Sequence, residues 1–208
     1  MFIRNESFSS FKRNYPVITT LIVINVILFL WINLSLWTGG LFPLGLEIRQ
    51  LGIGINGAIA EGQYWRLLTP VFLHQGTGHI LFNSVSLILF APALEKMIGS
   101  LKFLAVYLLT GFLANVATFL LIANPAYSHL GASGAIFGVF GVYLYMVINR
   151  KELIDAMNTQ IIMIIIVIGV VSTFINPGIN ILGHLFGLIS GAAIAPLFLR
   201  KAKSFYSV

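Results

Sequence analysis

The sequence predicts an all-α membrane protein, a bundle of six transmembrane helices with a long outer loop between the first two helices. The first observation is compositional. The 208-residue chain is 58% hydrophobic and only 9% charged, whereas soluble domains carry about 25% charged residues. The second is the presence of four long stretches without Asp, Glu, Lys or Arg, at 14–46, 67–94, 103–149 and 156–199. So much apolar surface cannot be buried within a soluble chain of this size, so we expect the solvent to be lipid.

These four stretches account for six helices. A helix that crosses a bilayer needs about 20 mostly apolar residues, and the third and fourth stretches are each long enough for two crossings. Asn-Pro pairs at 124–125 and 176–177 divide them, because proline lacks a donor and asparagine favours turns. The predicted helices span 17–36, 79–98, 101–122, 132–149, 159–175 and 180–199.

The segment 37–78 is the long outer loop. Structureless loops of this length are uncommon in compact domains and are usually functional. This one is rich in Gly, Leu, Ile, Phe and Trp. We therefore expect it to be folded and to dip into the membrane interface, with Trp65 and Arg66 anchoring it.

The basic residues predict the orientation. Lys and Arg are enriched on the cytoplasmic side of membrane proteins. With the N-terminus inside, ten of the 12 basic residues fall inside, and only Arg49 and Arg66 fall outside. The predicted organisation is a basic cytoplasmic N-terminus at 1–16, a membrane domain at 17–199 and a basic cytoplasmic tail at 200–208. The formal charge of +6 is thus explained by topology, and we expect no nucleic-acid partner.

Four polar side chains are predicted to lie at one depth below the outer surface. His79 and Asn83 begin the second helix, Ser133 begins the fourth and His184 begins the sixth. The fourth and sixth helices also carry small residues every four positions, which let helix backbones approach closely in lipid. At ~100° per residue, His184 shares a helix face with Gly187. Packing these stripes together is expected to bring the serine hydroxyl near the imidazole.

This arrangement suits nucleophilic catalysis. A serine hydroxyl becomes a good nucleophile when a base takes its proton, and His184 is the candidate base for Ser133. His79 and Asn83 share a helix face and can offer donors to an oxyanion. A polar contact between helices is the alternative role for this second pair. No acid is predicted near the site within the membrane, which favours a Ser-His dyad over a triad.

In this order, the motifs resemble those of the rhomboid family of intramembrane serine proteases. The matching segments are Trp65-Arg66, His74, His79-x-x-x-Asn83, Glu95-x-x-x-Gly99, Gly131-x-Ser133-Gly134 and Gly183-His184-x-x-Gly187-x-x-x-Gly191. The resemblance implies a six-helix rhomboid-like fold, with Ser133 as nucleophile, His184 as base, and His79 and Asn83 in the oxyanion site. Gly131, Gly134, Phe137 and Gly187 would support them.

The same resemblance implies partners and a location. The substrates would be transmembrane proteins cut in or near their spanning segments, in contact with membrane lipid and without a cofactor or metal. A multi-pass protein of the bacterial plasma membrane is expected. Many relatives carry a tyrosine where this chain has Phe137, stacked on the catalytic histidine. Phenylalanine can stack in the same way but has no hydroxyl.

Three other functions fit the sequence less well. A zinc protease using the four histidines is disfavoured, because the sequence has no His-Glu-x-x-His motif and no carboxylate at the depth of His79 and His184. A catalytically silent rhomboid-like escort protein would be expected to lack the serine or the histidine. A small transporter would be expected to show an inverted repeat or an intramembrane acid, and neither is evident in the sequence.

Overall fold

The protein is an all-α bundle in the computed structural model, which describes residues 1–2, 4–176, 178–202 and 204. The helices are α1 Phe8–Asn14, α2 Pro16–Trp37, α3 Gly45–Gly52, α4 Asn56–Ala60, α5 Thr77–Ile98, α6 Ser100–Leu121, α7 Ser133–Asn149, α8 Ala156–Ile175 and α9 Ile181–Leu199. Short 3₁₀ turns lie at Tyr64–Leu67, Thr69–Phe72 and Lys151–Leu153. Two-residue strands, β1 Gly54–Ile55 and β2 Ser128–His129, pair antiparallel.

A helix covers each of the six predicted segments, and the all-α membrane bundle is confirmed. Among the described residues, α2, α5, α6, α8 and α9 are long and apolar enough to cross a membrane. The remaining helix, α7, is apolar but only 17 residues long. Its central run, 135–143, is buried throughout, and its most extensive packing is against α9 and α6. The count of six crossings therefore stays a prediction.

Glycines set the distance between α7 and α9. A side-chain carbon added to Gly187 would overlap the carbonyl oxygen of Gly134 and lie 3.1 Å from its carbonyl carbon. One added to Gly191 would lie 2.7 Å from the carbonyl carbon of Gly138. Both obstacles are backbone, which cannot rotate away. The two helices thus meet backbone to backbone, as small-residue stripes allow in lipid.

The segment between α2 and α5 is folded. Arg66 ties it together, because its guanidinium donates to the backbone carbonyls of Gln50 at 2.8 Å and Ile53 at 2.7 Å. The indole of Trp65 donates to the carbonyl of Leu51 at 3.1 Å. Strand β1 then joins this segment to β2, just before α7. Trp65 and Arg66 thus anchor the segment beside the start of α7.

A buried carboxylate organises the opposite end of the bundle. Glu95, near the end of α5, accepts hydrogen bonds from the backbone N–H groups of Val17 at 3.0 Å and Ile18 at 3.1 Å, at the start of α2. The hydroxyl of Ser100 donates to it at 2.7 Å. These donors would otherwise lack partners, because the first N–H groups of a helix have no intrahelical acceptor. Glu95 thus caps α2 and links it to α5 and α6.

The N-terminal segment contains a helix and a buried anchor that the sequence analysis did not predict. The helix is α1, and Phe2 packs edge-on against Phe90 and Tyr143. Arg4 donates to the carbonyls of Ile88 and Leu89 in α5. Proline at position 92 cannot donate to the carbonyl four residues earlier, at Ile88. Arg4 therefore satisfies an acceptor that the proline leaves unpaired.

Candidate active site

Ser133 and His184 are in direct contact. Ser133 is the first residue of α7, and His184 is the fourth residue of α9. The serine Oγ lies 2.7 Å from His184 Nε2, which is a normal hydrogen-bond distance. The close glycine packing of the two helices makes this contact possible, since Gly187 lies one turn beyond His184. The structure therefore joins the two residues that the sequence analysis paired.

The ring of Phe137 fixes the plane of the imidazole. Its centroid is 4.2 Å from that of His184, and the two planes differ by 17°. Phe137 is four residues after Ser133, so both side chains project from the same face of α7. Stacking of this kind restricts ring tilt without a hydrogen bond. The phenylalanine supplies this contact without a hydroxyl.

His79 lies against Gly131, two residues before the serine. A side-chain carbon at Gly131 would be 2.6 Å from His79 Nε2 and 3.7 Å from Ser133 Oγ. Gly131 has a φ of +129°, a conformation that residues with a Cβ rarely adopt. Both its conformation and the nearby imidazole therefore require glycine here. His79 can come close to the serine because this residue has no side chain.

Asn83 follows His79 by one turn on α5. The residue is only 7% exposed, and its Nδ2 has no hydrogen-bond partner within the described part of the chain. An unpaired buried donor costs about 1–3 kcal/mol. Such a cost is tolerable where a ligand supplies the missing acceptor. The first-turn N–H groups of α7 also lack intrahelical acceptors, so the region around Ser133 is rich in donors.

Thr173, near the end of α8, completes the contacts of the imidazole. Its Oγ1 lies 2.8 Å from His184 Nδ1. The sequence analysis missed this residue. The only available signal was a hydroxyl near the end of a mostly apolar helix, beside a second hydroxyl at Ser172, and such hydroxyls commonly bond to their own helix backbone. The contact depends on how α8 and α9 pack, which no local pattern reveals.

Two further histidines lie outside the spanning helices, and the ring of one of them, His74, is 5.1 Å from that of His79. Burial lowers the pKa of His74 to about 4, with a smaller contribution from the neighbouring His79. Burial also lowers the pKa of His129 to about 4. Both side chains are therefore neutral at pH 7. Among the described residues, no three His, Asp or Glu side chains form a group that could hold a metal ion.

The family assignment is independent of this geometry. The family model of the rhomboid domain matches residues 61–201. The chain is 43% identical over 207 residues to a Bacillus subtilis protein named "Putative rhomboid protease YdcA", covering 99% of this chain and 100% of that protein. It is 37% identical over 205 residues to rhomboid protease GluP of the same species, covering 97% of this chain but 39% of GluP. RHOMBOID-like protein 9, chloroplastic, from Arabidopsis thaliana is 32% identical over 150 residues, which are 67% of this chain and 34% of that protein. The chain belongs to the rhomboid family of intramembrane serine proteases.

Proposed function

We propose that this protein hydrolyses peptide bonds in or near the transmembrane segments of other membrane proteins, using a dyad of Ser133 and His184. The observation that carries the proposal is the 2.7 Å contact between the serine Oγ and the imidazole Nε2. In this mechanism Nε2 takes the serine proton as Oγ attacks the substrate carbonyl. The same nitrogen then protonates the leaving amine, and water repeats the cycle on the acyl-enzyme.

The tetrahedral intermediate would be stabilised by His79, Asn83 and the N–H of Ser133. The unpaired Nδ2 of Asn83 and the position of His79 beside Gly131 support this role. Fixed donors of this kind strengthen their contact as negative charge develops on the oxygen. Replacement of either side chain is therefore expected to lower kcat more than it raises KM.

The proposed setting is a bacterial plasma membrane crossed six times, with both termini in the cytoplasm. Within the crossings, α7 would be the short central one, surrounded by other helices. The basic N-terminal segment 1–16 and the tail 200–208 would flank the membrane domain 17–199. The positive-inside distribution of Lys and Arg supports this orientation, and the substrates would be single-span or multi-span membrane proteins that meet the site from the lipid.

The direct test is a cleavage assay in liposomes, with a single-span protein as substrate. The Ser133→Ala and His184→Ala variants are expected to be folded, inserted and inactive. Serine-directed fluorophosphonate labelling should modify the wild-type protein at Ser133 and leave Ser133→Ala unlabelled. Undiminished cleavage by purified Ser133→Ala would refute the serine mechanism. It would also favour the escort-protein alternative, because the observed cleavage would then come from a contaminating protease.

The assignment of His79 and Asn83 needs its own measurement. One oxyanion donor is worth about a hundredfold to a thousandfold in kcat, so Asn83→Ala should lose activity on that scale with KM nearly constant. A raised KM with unchanged kcat would instead indicate ground-state binding. It would support the alternative in which these residues serve helix packing and substrate docking.

A further inference from the structure

Thr173 makes two hydrogen bonds through a single hydroxyl. Its Oγ1 lies 2.8 Å from the backbone carbonyl oxygen of Gly169, one turn earlier in α8, and 2.8 Å from His184 Nδ1. The side chain is 1% exposed, so water does not compete for these contacts. The hydroxyl therefore lies between a backbone acceptor and the imidazole.

The position of one proton decides the state of the imidazole. A hydroxyl has one proton to donate and lone pairs to accept. The carbonyl of Gly169 can only accept, so the Thr173 proton must point to it if both contacts are hydrogen bonds. His184 Nδ1 must then carry a proton and donate it to Thr173 Oγ1. In a neutral imidazole the other nitrogen, Nε2, is left with a lone pair directed at Ser133.

We propose that Thr173 is a positioning residue that holds His184 in the tautomer able to act as a base. The inference rests on the dyad proposed above and adds a third member to it. Phe137 limits the tilt of the ring, and Thr173 opposes its rotation by half a turn, which would put Cδ2 in place of Nδ1 and turn Nε2 away from Ser133. When His184 becomes an imidazolium during the reaction, Thr173 still accepts from Nδ1.

Three variants separate this role from a packing role. Thr173→Val has nearly the same shape but cannot accept a hydrogen bond, whereas Thr173→Ser keeps the hydroxyl. The matched control is Thr110→Val in α6, because Thr110 is also buried and donates to the carbonyl four residues earlier, at 2.8 Å. Among the described residues Thr110 makes no hydrogen bond to His184, so this control removes only bonds to the backbone of its own helix.

The expected result is a change in kcat alone. Thr173→Val should lower kcat about tenfold to a hundredfold, the range for leaving one buried donor unpaired, with KM within about twofold. Thr173→Ser should recover most of the activity, and Thr110→Val should resemble the wild type. Equal losses in Thr173→Val and Thr110→Val, or full activity in Thr173→Val, would overturn the proposal.

A spectroscopic measurement tests the tautomer without reference to cleavage. The chain has only four histidines, so ¹⁵N-histidine spectra of the wild-type protein in micelles at neutral pH can be assigned with the His184→Ala variant. His184 should carry its proton on Nδ1, and Thr173→Val should shift part of the population to Nε2. A wild-type His184 protonated on Nε2 would overturn the proposal even if Thr173→Val did not fold. If the proposed dyad mechanism itself were wrong, the Ser133→Ala variant would still cleave the substrate.

Discussion

Replacing Gly187 with alanine tests whether the contact between α7 and α9 sets the catalytic geometry. The new methyl group would overlap the carbonyl oxygen of Gly134 and lie 3.2 Å from the Cβ of Phe137. Real Cβ atoms are essentially never found within 3.0 Å of such neighbours. Because the carbonyl belongs to a helix backbone, the two helices must separate by on the order of 1 Å to restore a normal contact.

The separation would act directly on the dyad. Gly187 is one turn from His184, so a displacement of this size moves the imidazole with the helix. The Ser133–His184 contact, now 2.7 Å, would lengthen to about 3.7 Å, beyond hydrogen-bond range. A misplacement of about 1 Å can reduce turnover about a hundredfold. Overpacking would also destabilise the fold by about 1–3 kcal/mol.

The assay is cleavage of a single-span substrate in liposomes, with thermal unfolding measured in parallel. Gly187→Ala should lower kcat about a hundredfold while the protein remains helical and inserted. Gly78→Ala is the matched control, since Gly78 is a helical residue near the site whose added methyl group would meet nothing within 4 Å. If Gly187→Ala cleaved as fast as Gly78→Ala, close backbone packing would not be what positions the dyad.

Two further predictions concern charge and topology. The double variant Glu47→Gln, Glu61→Gln should keep most of the activity, because these carboxylates belong to the segment before α5 and His184 already contacts Thr173 through Nδ1. In a soluble triad, loss of the acid lowers kcat by roughly 10⁴-fold, and a loss near that size here would reveal a hidden acid. Single cysteines at Ser128 and Asn149 should be labelled by an impermeant maleimide from the outside and the inside respectively, and the chain has no cysteine to interfere. The reverse labelling pattern would contradict the N-inside orientation.

Much of the candidate site was predictable because its parts are encoded locally. The small residues at helical spacing indicate which faces of α7 and α9 can meet. The polar residues at the starts of α5, α7 and α9 stand out against apolar helices, where they are costly and therefore informative. The expected approach of Ser133 and His184 needed only these two patterns.

The remaining features depend on contacts between distant parts of the chain. Thr173 resembles any threonine that bonds to its own helix, and only the packing of α8 against α9 distinguishes it. Arg4 meets α5 at carbonyls 84 and 85 residues later in the chain, where a proline disrupts the helical bonding. An unpaired carbonyl can be deduced from Pro92, but its partner cannot, because nothing in the sequence distinguishes Arg4 from the other 11 Lys and Arg residues.

The lipid surroundings of the site favour a threonine over a carboxylate as the partner of His184 Nδ1. A carboxylate held against His184 would have to be transferred into the bilayer, which costs about 2.5–3.5 kcal/mol on insertion scales. Whenever the imidazole was neutral, the carboxylate would have no positive partner to offset this cost. A buried ion pair recovers such a cost only with good geometry and further hydrogen bonds. A hydroxyl that donates to its own helix accepts from Nδ1 without any charge. The neutral hydroxyl gives up some stabilisation of the imidazolium, and the stacked ring of Phe137 can offset part of this loss through cation–π attraction. In lipid, orientation by a neutral acceptor and an aromatic face is therefore the less costly way to prepare a histidine base.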